Sequence, residues 1–166
     1  ETPARVPYIL LGYHVPVLKT AKDANEAYAL EVLAGVLDGG DSARLASELV
    51  RGATLAASAG AGYSGYDRMQ TLFLLSGTPA SGHTVAELEQ ALLEQVERLR
   101  EKPVTRAELE RVKAQIRAQK VYEQDSIFYQ AMQLGILETV GLSWKDADTY
   151  LERIEAVTAK QVQTVA

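Results

Sequence analysis

No cysteine occurs anywhere in the 166-residue sequence, which removes disulfides, thiolate catalysis and cysteine-ligated zinc together. That absence does not set the compartment, because a cysteine-free chain is stable in either redox environment. Histidine is nearly as scarce, and imidazole chemistry has only His14 and His83 to draw on. No apolar run reaches the roughly 18 residues of a membrane span. Residues 1–20 lack the basic start, apolar stretch and small-residue cleavage site of a secretion signal. Positive charge is in deficit: 17 Lys and Arg stand against 22 Asp and Glu, for a formal charge of −5. A nucleic-acid surface needs clustered cations to displace counterions from phosphates, so that partner is disfavoured, while a basic polypeptide remains compatible. The sequence opens at Glu1 without a methionine, which sets the expectation of one domain over residues 1–166, processed or excised from a longer chain.

Against these absences stands a hydrophobic fraction of 47%, enough for a sizeable core. Residues 6–17, VPYILLGYHVPV, are β-branched, aromatic and aliphatic between prolines, which predicts a strand covered on both faces. Asp23 with Glu26 forms a capping-box pattern ahead of DANEAYALEVLAGVL, a helix buried on most of its circumference. Gly39 and Gly40 close that helix, and Asp41 or Ser42 is expected to cap the next, over residues 43–51. Residues 54–63 and 69–77 read as a hairpin turning through Ser64, Gly65 and Asp67. From residue 84 the period becomes helical. Thr84 with Glu87 opens a helix whose stripe is Val85, Leu88, Leu92, Val96 and Leu99, and Pro103 breaks it. Thr105 with Glu108 opens the next, two helices follow over 126–140 and 144–157, and Thr158 with Gln161 opens a last one. Hairpin-linked strands with segregated helices predict an α+β domain: an antiparallel-rich sheet covered on one face by helices.

Catalytic motifs are weak. Gly39 and Gly40 follow a helix, with no lysine nearby, so they do not make a phosphate loop. Ser42 as nucleophile needs a histidine within reach, yet His14 sits in an apolar strand, as a core histidine does, and His83 precedes a helix cap, as a loop histidine does. Glu87, Glu89, Glu94 and Glu97 face away from the leucine stripe, as a solvated helix face does. Tyr63, Tyr66, Tyr122, Phe128 and Tyr129 fit either a peptide groove or core packing.

Three stretches, taken in order, resemble the C-terminal, non-catalytic domain of the pitrilysin/insulinase/mitochondrial processing peptidase family of zinc metallopeptidases. They are GYHVP with DANEAYALEVLAGVLDGGDSARLASELV, then LAASAG, then KPVTRAELERVKAQI. The resemblance implies a half-domain in which Gly39, Gly40, Ser42 and Arg44 form an architectural corner, with Arg44 either anchored to carbonyls at a neighbouring helix end or solvated. It implies no catalytic residue and no metal here. The family's zinc lies on a His-x-x-Glu-His helix of a companion catalytic domain, and this sequence has no such pentapeptide. The arginine and tyrosine that bind substrate in some relatives align with Val50 and Ala57, both apolar, with Arg51 one position off; a second subunit would then supply the pair. The expected role is structural, completing the chamber around an extended peptide substrate. The alternative is an assembly module like the core subunits of respiratory complexes, and an independent enzyme using His14 or His83 is a third reading. Exported relatives make a periplasmic or cell-envelope location the expectation over the cytoplasm.

Overall fold

A computed structural model of the protein describes residues 6–166. Its order is strand β1 (Ile9–Val15), helix α1 (Ala24–Asp38), a π-helical segment (Leu45–Gly52), strands β2 (Ala56–Gly62) and β3 (Thr71–Pro79), then helices α2 (Val85–Glu101), α3 (Arg106–Gln124), α4 (Ile127–Val140), α5 (Asp146–Ala156) and α6 (Ala159–Val165).

The local cues act where short-range hydrogen bonds suffice. Thr84, Thr105 and Thr158 each accept from the backbone N–H three residues on, and Glu87, Glu108 and Gln161 return the bond. Asp23 is a simpler cap than expected: its side chain accepts from Asn25 N–H, and the reciprocal bond from Glu26 does not form.

The sheet is antiparallel throughout, in the order β1-β3-β2, with Ile9 opposite Gly77 and Val15 opposite Thr71 on one side of β3 and Gly62 opposite Leu74 on the other. In β3 the alternation is strict: Phe73, Leu75, Gly77 and Pro79 are buried between less buried neighbours. Helix α1 packs on β2 and supplies Leu30, Leu33, Val36 and Leu37 to a core shared with Leu88, Leu92, Leu99 and Ile154.

Strand β1 departs from expectation. Among the described residues it is an edge strand, and of its residues Leu10 is 58% and Tyr13 46% exposed. The apolar run reads as doubly covered, but the helices lie on one face only, and Leu10, Gly12 and His14 share the other.

Candidate functional site

The corner after α1 is where the sequence concentrates its signals. Gly39 caps α1 with its N–H on the Gly35 carbonyl, at 2.8 Å, and a Cβ on Gly39 would lie 2.3 Å from that oxygen. The left-handed turn itself falls on Gly40, at φ +88°. The Gly39 carbonyl accepts from Arg111 Nη1 at 3.2 Å and from Gln115 Nε2 at 2.9 Å, so side chains of α3 hold the helix end.

Ser42 does not cap the next segment, contrary to expectation. That segment is π-helical from Leu45, with Arg44 in the cap position and no side-chain cap bond. Backbone bonds do that work instead, Ala43 N–H to the Gly40 carbonyl and Ser47 N–H to the Ala43 carbonyl.

Arg44 is neither solvated nor bonded to carbonyls. Its Nε lies 2.7 Å from Glu108 Oε1 and its Nη2 lies 3.2 Å from Oε2, a two-point pair at the start of α3. Burial alone would raise the Glu108 carboxyl, but the Arg44 guanidinium and the Thr105 backbone and hydroxyl donors outweigh it and hold the pKa down to about 2. Val50 is half-buried against the core and Ala57 is exposed. Arg51 bonds the Asp41 carbonyl, closing the loop that Asp41 and Ser42 occupy.

The histidines are separated in the fold. His14 is exposed on β1, contrary to the core placement expected of it, because that face of the sheet carries no helix. His83 lies in the turn before α2, with Nδ1 3.6 Å from Glu87 Oε2. Among the described residues no group of three or more His, Asp or Glu side chains could hold a metal ion, so these side chains do not fit the zinc centre of the peptidases the sequence resembles.

The aromatic residues divide. Tyr63 and Tyr66 pack against the core, whereas Tyr122, Phe128 and Tyr129 are exposed at the end of α3 and start of α4. Sequence reasoning missed what Tyr66 joins. Tyr150 of α5 donates to the Glu31 carboxylate of α1, with the Tyr28 and Tyr66 rings 6.1 and 6.5 Å from its own and Lys120 Nζ 5.3 Å above it. Desolvation raises Glu31 above the ordinary carboxylate range, opposed by the Tyr150 hydrogen bond and by Lys120. Desolvation likewise raises the Tyr150 and Tyr66 hydroxyls. The available signal was Glu31 itself, the one charged residue in the stretch of α1 from Ala27 to Leu37.

A groove of about 740 Å³ runs between β1, α1, α2 and the end of α6. Its floor is apolar, with Leu30, Leu33, Phe73 and Leu75, and Glu89, Glu94 and Glu97 stand along the α2 side. Glu97 is occupied by Arg100 at 2.8 Å. Gln90 donates to Glu94 at 2.9 Å, and among the described residues neither Glu89 nor Glu94 has a cationic partner. Among the described residues the site offers apolar surface, strand edge and negative charge, and no assembled nucleophile.

The sequence profile of the peptidase M16 inactive domain matches residues 1–116. In structure, the chain is similar to a protease from Helicobacter pylori, with a TM-score of 0.88 and 22% identity over 99% of this chain and 38% of that one. It is also similar to the inactive peptidase domain of a proposed zinc protease from Bordetella parapertussis, with a TM-score of 0.84 and 20% identity over 99% of this chain and 84% of the other. A peptidase M16 inactive domain from Pseudomonas fluorescens gives 0.75 and 17%, over 95% and 36%. The chain thus spans about two fifths of the Helicobacter protease. No curated protein matches the sequence significantly.

Proposed function

The chain belongs to the family of M16 peptidase inactive domains, and from that premise we propose that it serves as the non-catalytic wall of a zinc-dependent peptidase. A companion domain supplies the metal on its own helix, and this domain completes the chamber that encloses an extended peptide. The observation that carries the reading is the family match over residues 1–116 in a sequence without the His-x-x-Glu-His pentapeptide. Val50 and Ala57, apolar where some relatives bind substrate, support assigning the backbone clamp to a second subunit. Export of the parent protein to the periplasm or cell envelope belongs to the same proposal.

The same two apolar positions fit a second reading equally well, an assembly module without peptidase involvement. Reconstitution separates the two. The companion zinc domain is assayed on unfolded peptides with and without this chain. Hydrolysis that needs both and stops on chelation supports the wall; full activity without this chain supports the assembly module. Turnover by this chain alone would overturn both.

A further inference from the structure

Helices α4 and α5 are fastened to the rest of the molecule by few buried side chains. Over residues 127–156 these are Leu137 of α4 and Tyr150 and Ile154 of α5. Polar clamps add to them: Lys19 Nζ donates to the Val140 carbonyl at 3.0 Å, Lys113 Nζ donates to the Glu155 carbonyl at 2.7 Å, and Arg117 pairs with the Glu155 carboxylate. The pair of helices leaves α3 at Asp125 and Ser126 and rejoins α6 at Val157 and Thr158, so it can lift about two short hinges. Segments with so few buried contacts open locally at a smaller free-energy cost than the core.

Of the three buried anchors, Tyr150 alone is bonded to a carboxylate, that of Glu31 on α1, 119 residues away in sequence. Around that carboxylate stand Tyr28 of α1, Tyr66 of the β2–β3 connection, and Lys120 and Glu123 of α3, with Lys120 Nζ 3.2 Å from Glu123 Oε2. Asp67, Asp146 and Arg153 act on these tyrosines and on Tyr63 from farther out. Among the described residues no cation lies within ion-pair distance of Glu31.

We propose that α4 and α5 form a flap latched by the Glu31 carboxyl, closed when that group is neutral and loosened when it ionises. Ionisation places a charge among tyrosine rings with one hydroxyl donor, and lifting α5 hydrates that charge. A cavity of about 160 Å³ beside Glu31, walled in part by Tyr66 and Tyr150, gives the incoming water room. Burial already holds the Glu31 carboxyl above its ordinary range in the closed form. Closure is therefore strongest below the open-state value and weakens as pH rises through the closed-state one. Desolvation raises the Tyr28, Tyr66 and Tyr150 hydroxyls, which keeps them neutral over that range. The latch is internal to this domain, whether the domain serves as chamber wall or as assembly module.

Peptide-resolved hydrogen–deuterium exchange of the protein, from about pH 4.5 to about pH 8 with rates divided by the intrinsic rate at each pH, reads the opening. Protection across Asp146–Ala156 should fall at least tenfold over that range, by at most about tenfold per pH unit, while protection across α2 stays level. Glu31→Gln should hold α5 protected at every pH. A second readout needs no variant: the carbon-13 shift of the Glu31 carboxyl should titrate above the ordinary 4.5, over the same interval in which α5 loosens. Protection of α5 that ignores pH, an equal slope in Glu31→Gln, α2 opening in step with α5, or a Glu31 carboxyl titrating at or below 4.5 would each overturn the latch.

Discussion

Arg44 forms a two-point ion pair with Glu108, the same carboxylate that closes the Thr105 capping box, so one side chain both starts α3 and fastens it to the corner after α1. Four donor contacts converge on it, two from Arg44 and two from Thr105. Removing Arg44 therefore releases two elements that lie 64 residues apart in sequence.

The pH dependence follows from that convergence. Glu108 has a folded pKa of about 2 against an ordinary 4.5, so the stability it contributes is present above the unfolded value and lost as pH falls through the folded one. Urea titrations should show stability declining from about pH 4.5 toward pH 2. Arg44→Met should cost about 1 kcal/mol at pH 7, discounted for the partial exposure of the pair, and should flatten the decline in that window. An unchanged slope would show that other carboxylates govern the acid limb.

Glu31 has the opposite sign. Desolvation raises its folded pKa, so its contribution is fully present below the unfolded value and is lost as pH rises through the folded one. Glu31→Gln should raise the melting temperature at pH 8 relative to wild type, with the advantage vanishing near pH 4. Tyr150→Phe should cost about 1–3 kcal/mol at pH 7, because the carboxylate loses its hydroxyl donor, and less at pH 4.

Gly35 faces α3 at close range. A Cβ there would lie 2.6 Å from Val112 Cγ1, a side chain buried in the core. Gly35→Ala gains up to about 1 kcal/mol in helix propensity, but overpacking costs about 1–3 kcal/mol. Net destabilisation is expected. Combining it with Val112→Ala should recover part of the loss, giving a measurable coupling in a double-mutant cycle.

Gln95 occupies the buried stripe of α2 among leucines, donating to Glu48 Oε2 at 3.0 Å while its own Oε1 has no partner among the described residues. Glu48 keeps its bond from Arg98 without it. Gln95→Met should be neutral or stabilising by up to about 1 kcal/mol in urea unfolding, because it removes an unpaired buried oxygen at similar volume. A loss above about 2 kcal/mol would mean that the Glu48 bond outweighs the unpaired oxygen.

Much of the fold is legible in the amino-acid sequence. The three threonine capping boxes and the hairpin depend on groups a few residues apart, and their chemistry is written in that short span. Asp23 shows the limit of such cues, since the same spacing yields a simpler cap there. The site is less legible. Gly39 and Gly40 are recognisable as a helix stop, yet the carbonyl left at that stop is held by Arg111 and Gln115, more than 70 residues on. Nothing in VPYILLGYHVPV distinguishes an edge strand from a central one, because an apolar run fits either, and only the sheet order exposes Leu10 and His14.

By itself the amino-acid sequence determined the strands and α-helices, the three threonine caps, the family and the lack of the family's zinc-binding pentapeptide, all properties of residues read locally or in order. Tertiary structure alone decided that Arg44 meets Glu108, that Glu31 is enclosed by tyrosines, and that β1 borders an acid-sided groove. Those outcomes depend on which surfaces are brought together when α1 and α2 pack over the sheet and α3 and α5 pack on α1. That meeting is a property of the whole core, summed over contacts distant in sequence, and no short stretch of residues encodes it.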